Sequence, residues 1–192
     1  MSTPQPTTFA SAHDAIVARR TAHHYHTTPL PPDVLKRALN AANHAPSHKH
    51  TFPWRFTVIG PEARTFLANL AVEIKAAQRP LTEDDAQRIR EKILTPPELL
   101  VASQCLHPDP FRSREDFAAC ACAIQNLCVS LCGDGVASKW STGGITRHPG
   151  TYQALGINPN GEEIIGFIWA GYATQLPEIA RPPMDSVVRH TR

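Results

Sequence analysis

The stretch Pro53-Trp54-Arg55-Phe56-Thr57-Val58-Ile59-Gly60-Pro61 is aromatic and β-branched, closes on Gly-Pro, and reads as a β-strand. Helical periods flank it on both sides. Upstream, Pro32 suits a first helical turn, Val34, Leu35, Ala38, Leu39 and Ala42 fall on one face, and Pro46 stops the helix. Downstream, Glu62 to Gln78 is helical, with Phe66, Leu67, Leu70 and Ile74 inward. Farther out, Phe9 to Arg20 carries Phe9, Ala12, Ile16 and Val17 at helical spacing. Thr82 before Glu83, Asp84 and Asp85 caps a charged helix to Leu94, and Leu99 to Cys105 is a short buried strand. Ser113-Arg114-Glu115-Asp116 has a capping pattern ahead of an apolar helix that reaches Cys132 and stops at Gly133. That helix is apolar nearly all round, so burial on most sides is expected. Val136 to Thr142 is extended or loop, and Gly143-Gly144 is a flexible turn. Pro149 to Leu155 is a short helix ended by Gly156, and Asn160-Gly161 turns into a strand over Ile164 to Tyr172. The sum is about six helices and three or four strands in one layered unit over residues 1–192, with 1–8 flexible and 173–192 an extended, proline-bearing tail.

Composition narrows the function classes. The chain has 192 residues, 42% of them apolar, enough for a sizeable core. Nineteen basic against 17 acidic side chains leave a net charge of +2, too weak a field to mark a nucleic-acid or anionic-membrane binder. The first residues lack the basic and apolar regions of a signal peptide. The run Phe117 to Cys132 is shorter than the ~20 residues of a membrane span. Five cysteines, four crowded between Cys120 and Cys132, do not form a secreted disulfide pattern. A cytoplasmic protein is expected, with neither nucleic acid nor membrane as a partner.

Ten histidines and five cysteines raise the question of a metal. Among Cys120, Cys122, Cys128 and Cys132 only the last two share a helical face, and there is no CxxC pair. His23, His24 and His26 cluster, as do His44, His48 and His50, yet no HExxH exists and Pro46 interrupts the second group. Buried packing for the cysteines and hydrogen-bonding or ligand-contacting imidazoles account for both sets without a metal. No GxSxG elbow, Walker A or GxGxxG sequence is present. Arg19-Arg20-Thr21 remains: two guanidinium groups and a hydroxyl suit a dianionic phosphate, and equally a solvated helix end.

These residues resemble the FMN-dependent nitroreductase family, its compact, short-chain members in particular. Arg19-Arg20-Thr21-Ala22-His23-His24-Tyr25 is similar to that family's opening R-R-S/T-x-R-x-F. Ala45-Pro46-Ser47 resembles its A-P-S corner, and Pro53 to Ile59 its P-W-R-F-x-V-I strand. Gln125-Asn126, Trp140-Ser141-Thr142-Gly143-Gly144, Gly166 to Tyr172 as G-x-x-x-x-G-Y, and Arg181-Pro182-Pro183 follow in family order. The resemblance implies an α+β fold with a central mixed or antiparallel sheet flanked by helices, in an intertwined homodimer with FMN at the subunit interface. Arg19, Arg20 and Thr21, with Arg181, would hold the phosphate and ribityl end. His23, His44, His48 and His50 would contact the cofactor, some from the second chain, and Ser141, Thr142 and Gly143 would line the flavin. Leu131, Cys132, Gly133, Asp134, Gly135 and Val136 would form a nicotinamide-nucleotide contact. Two departures stand out: the third arginine of the opening motif is His23, and the Asn and Gln usual before P-W are His50 and Phe52.

The implied activity is hydride transfer from NADH or NADPH through FMN to a nitroaromatic, quinone or similar electron-poor acceptor, in ping-pong order. Because the flavin carries the hydride, no catalytic acid, base or nucleophile is singled out. The competing readings are a flavin-binding or sensing protein without turnover, and a Cys/His metal protein.

Overall fold

The computed structural model describes residues 11–191 and is built on four antiparallel strands. Their order is β1 (Trp54–Val58), β2 (Glu98–Cys105), β4 (Glu162–Gly171), β3 (Ala137–Ser141), so β1 and β3 are the edges. The strand read from Trp54 onward is therefore an edge strand. The α+β class stands, with a sheet antiparallel throughout. Seven α-helices surround it: α1 (Ala12–Ala18), α2 (Pro32–Asn43), α3 (Pro61–Ala76), α4 (Glu83–Leu94), α5 (Pro110–Gly133), α6 (Gly144–Arg147) and α7 (Pro149–Leu155). Two 3-10 turns, His48–His50 and Met184–Ser186, complete the described elements. Residues 1–8 and Phe9 lie outside the described residues.

Strand alternation sorts the core into two layers. On β2, Leu100 and Ala102 face α2 and α5, packing with Ala38, Ala42, Ile124 and Leu127. Leu99 and Val101 face the other way, into a cluster with Leu67, Leu70 and Ile93 of α3 and α4. A bulge between Ala102 and Ser103 shifts the register against β4.

Several boundaries differ from the sequence expectation, each for a local reason. The first helix spans Ala12–Ala18, its N-terminus capped by Ser11, whose side chain accepts from the Asp14 amide. Thr82 forms the expected cap, extended to a full capping box with Asp85. The long helix starts a turn before Ser113, because the Asp109 carboxylate accepts from the Phe111 amide and Pro110 occupies N1. It ends at Gly133, but the left-handed residue that turns the chain is Gly135, at φ 72°. The segment left open as extended or loop is β3, held by pairing with β4 over Ala137–Ser141.

Burial of α5 is one-sided. Asp116, Ala119, Cys120, Ala123, Ile124, Leu127, Cys128 and Leu131 line the core, at three- and four-residue spacing. Phe117, Ala118, Cys122 and Gln125 remain exposed, and Ala121 and Val129 half-buried, because no element among the described residues covers that face. Cys122 thus departs from the expected core packing, which Cys120 and Cys128 do show. At 24 residues α5 is the one helix among the described residues long and apolar enough to cross a membrane, and its core stripe belongs to the sheet layer.

Candidate functional site

The opening motif is stitched into the sheet at both ends. Thr21 bridges Ser138 of β3, and the Ala22 amide donates to the Ser138 carbonyl at 3.2 Å. Tyr25 bridges Ala173, and the His26 amide donates to the Tyr172 carbonyl at 2.8 Å. These ties leave His23 and His24 projecting at the surface between two fixed points. Arg19 caps α1, half-buried beside Cys128 and Cys132 of α5. Arg20 Nη1 donates to the carbonyls of Val17 and Arg19, which folds its stem back on α1. Neither arginine has a carboxylate partner among the described residues.

Across β3 lies a cavity of about 540 Å³ between α3, α4 and the Thr142–Ile145 turn. Its walls are apolar, from Ile74, Ile93, Ile145 and Trp169, and its rim carries His23, His24, Lys75, Lys92 and Lys139. Thr142 and Gly143 line it too, while Ser141, the third residue of that expected set, ends β3. Gly143 sits at φ 155° and ψ −173°, a conformation open to glycine alone. Burial, and then Lys139, His24 and Lys92, hold the His23 imidazole below the ordinary histidine range.

The two glycines of Gly166 to Tyr172 have a packing cause. A Cβ on Gly166 would run into the Trp140 indole, whose Nε1 donates to the Ile165 carbonyl at 3.2 Å. A Cβ on Gly171 would meet Pro97 and Tyr25. Both close approaches hold β3 and the opening segment against β4.

His44, His48 and His50 lie elsewhere. The His44 ring Nδ1 pairs with the Asn40 carbonyl at 2.8 Å. With that nitrogen as the donor, Nε2 faces outward as an acceptor. Next to it, Lys49, His50 and Phe52 all take positive φ, of 55°, 55° and 44°. Left-handed backbone in non-glycine residues costs about 1–2 kcal/mol each and persists where the surroundings impose it. Here Thr51 Oγ1 donates to the buried Asp116 carboxylate at 2.6 Å, Ser47 Oγ accepts from the Phe52 amide at 3.0 Å, and His50 stacks on Phe52 at 5.8 Å.

Thus the structure gathers Arg19, Arg20, Thr21, His23, Thr142 and Gly143 around edge strand β3, and holds the His44–His50 corner apart. The corner is tied to α5 at Asp116, and Arg19 lies by Cys128 and Cys132, 12 to 16 residues on. At 1.5 Å per residue that is roughly 18–24 Å along the helix. Arg181 is exposed on the tail. At the end of α5 and in the turn after it, Leu131 and Val136 are buried and Asp134 pairs with Arg37 at 3.1 Å, leaving Cys132, Gly133 and Gly135 half-exposed. Lys139, Lys92 and Trp169 were not singled out from sequence. Strand alternation, which puts Lys139 opposite Ser138, is the signal that finds Lys139 once β3 is a strand. No group of three metal-ligating side chains is gathered among the described residues.

Comparison with known proteins bears on the same site. The sequence model of the Nitroreductase family matches residues 16–172. The chain is 32% identical over 174 residues to Bacillus subtilis (strain 168) YfhC, named among the NAD(P)H nitroreductases, covering 88% of this chain and 87% of that one. A nitroreductase-like family protein of Bacillus cereus superposes with a TM-score of 0.82 at 27% identity, covering 96% and 98%. A Desulfovibrio desulfuricans structure assigned as a nitroreductase and solved in complex with FMN shares the fold, with a TM-score of 0.75 at 19% identity over 96% and 99% of the chains.

Proposed function

The chain belongs to the nitroreductase family, and from that premise we propose that it is an FMN-dependent oxidoreductase that passes a hydride from NADH or NADPH to a nitroaromatic, quinone or similar electron-poor acceptor in ping-pong order. One observation carries the reading: Arg19 and Arg20, with no carboxylate partner among the described residues, lead through Thr21 onto edge strand β3, whose other face lines an apolar cavity rimmed by lysines and histidines with no Asp or Glu among its lining residues. Those donors fit a flavin mononucleotide, whose dianionic phosphate takes the arginines and whose flat ring takes apolar walls.

Arg19, Arg20 and Thr21 would hold the phosphate, with Arg181 brought in by the tail. His23, Ser141, Thr142 and Gly143 would line the ring. Bound FMN supplies the hydride chemistry. The chain's own part is to bind, orient and keep water out. His44, His48 and His50 would come from a second copy, since the corner that bears them lies at the other end of α5. Two α5 helices packed antiparallel through their exposed faces would bring the corner of one chain to the arginines of the other. The exposed tail residues Leu176, Ile179, Met184, Val187 and Val188 add apolar surface for such a homodimer. The Cys132–Gly135 turn is the candidate nicotinamide-nucleotide contact. A cytoplasmic enzyme with a small-molecule acceptor, and neither nucleic acid nor membrane as a partner, completes the reading.

The test is optical. Purified protein should show flavin absorbance that NADH or NADPH bleaches and a nitro or quinone acceptor restores. Protein that binds no added FMN overturns the cofactor reading, and bound flavin that neither nucleotide reduces leaves a binding protein without turnover.

A further inference from the structure

The groove where the opening segment meets α4 carries cations that neither folding nor the FMN phosphate accounts for. Its walls include His23 and His24, left projecting between the ties at Thr21 and Tyr25, together with Arg88, Glu91 and Lys92 of α4 and its C-cap Thr95. Arg88, Lys92 and Thr95 follow one another at helical spacing and share one face. Elsewhere around α4 the arginines are paired, Arg79 with Asp85 and Arg90 with Glu83, each at 3.2 Å. Arg88 and Lys92 have no ion pair among the described residues. The carboxylate that lines the groove, on Glu91, accepts from the Gln87 side-chain amide at 2.9 Å.

Two cations one turn apart repel each other and weaken a helix. Lys92 is in the last turn, where the helix dipole favours a cation, but Arg88 is mid-helix and gains nothing from it. A planar guanidinium beside an ammonium, an imidazole and a hydroxyl matches a dianionic phosphomonoester. The Cys132–Gly135 turn offers such a group no free cation. Its charged residue is Asp134, Arg37 is committed to Asp134 and Asp33, and Arg19 and Arg20 beside Cys132 are assigned to the FMN phosphate.

We propose that Arg88, with Lys92 and His24, binds the 2′-phosphate that distinguishes NADPH from NADH, and so makes this chain prefer NADPH as its hydride donor. The inference rests on the FMN reading above, which puts the flavin ring at His23 and makes NADH or NADPH the donor. A nicotinamide that meets the ring beside His23 leaves its adenosine half to run past His24 onto α4. The two nucleotides differ by that one phosphate, so cations placed to meet it act on donor choice and leave the hydride step to the flavin. Arg88 is a specificity-determining residue.

The experiment uses the flavin-loaded full chain. Calorimetry measures binding of 2′,5′-ADP, 5′-AMP and inorganic phosphate, and flavin reduction gives the ratio of kcat/KM for NADPH over NADH. 2′,5′-ADP should bind about tenfold more tightly than 5′-AMP, with NADPH preferred by a similar factor. Arg88→Met should remove most of both preferences, and Arg88→Lys should keep part of each. Arg79→Met, outside the groove, should keep both in full. An unmodified chain with neither preference, a folded Arg88→Met protein with both intact, or an equal loss in Arg79→Met overturns the assignment and leaves the FMN reading standing. Inorganic phosphate that binds as tightly as 2′,5′-ADP also overturns it, in favour of a simple anion site. If bound FMN is reduced by neither nucleotide, the donor reading itself falls.

Discussion

The two ends of α5 carry unlike halves of one candidate site. Near Cys132 the chain presents a cationic cradle: Arg19, Arg20 and Thr21 on a segment bonded to β3 and to the stretch after β4. Near Asp116 it presents an aromatic, left-handed corner, His48 to Phe52, held by side-chain hydrogen bonds to Thr51 and Ser47. The first half keeps regular backbone and concentrates charge. The second accepts strained backbone and displays imidazole and phenyl rings. Charge suits a phosphate and exposed rings suit a flat ligand, so each end has half of what a flavin nucleotide needs. The exposed face of α5 between them is what a second copy would cover.

The contrast can be broken at its centre first. Ala118→Arg places a charge on that face, where it is exposed in the single chain and would be buried in the dimer. An uncompensated buried charge costs about 3–5 kcal/mol. We expect a folded monomer by light scattering that retains FMN at least roughly a hundredfold more weakly. A dimer that still holds its flavin would show that the two halves do not meet through α5. Arg19→Ala comes next. A charge-assisted bond of about 1.5–3 kcal/mol corresponds to FMN binding roughly ten- to hundredfold weaker, read by fluorescence titration. Unchanged retention would remove the phosphate role from the cradle.

Gly166→Ala probes the cradle's support. The new methyl would displace the Trp140 indole, and a loss of about 1–3 kcal/mol in urea unfolding is expected. The smallest effect belongs to the corner. Lys49 is exposed at φ 55°, so Lys49→Gly should relieve left-handed strain and raise stability by about 0.5–1 kcal/mol, net of glycine's greater unfolded-state freedom. A destabilised Lys49→Gly protein would mean that the lysine side chain, and not its neighbours, holds the turn.

Much of this was legible in the sequence where the cause is local. Thr82 with Asp85 capped α4 as expected, and Pro149 to Leu155 with Gly156 at φ 64° matched both bounds of α7. Where two local signals competed, the sequence reading took the wrong one. Asp109-Pro110 outcompeted Ser113 as the start of α5, because Pro110 at N1 is set for the first turn and the Asp109 side chain satisfies an amide there. Strand β3 carried no clear alternation, since Lys139 and Trp140 blur it, and only pairing with β4 made it a strand.

The candidate site divides the same way. The grouping of Arg19, Arg20 and Thr21, and the resemblance of Pro53 to Ile59, follow from residues adjacent in the chain. That Thr142, Gly143 and Lys139 join the opening segment, while His44, His48 and His50 stay at the far end of α5, depends on strand order and on which face of β3 each residue takes. The sequence by itself determined most helices and the caps of α4 and α7, because helix periods and turn geometry are set within a few residues. Only the tertiary structure decided that α5 is buried on one side and that the cationic rim is split across an edge strand. Those outcomes depend on β2–β4 and β3–β4 registers between distant residues, and a shift of one residue would reverse every face.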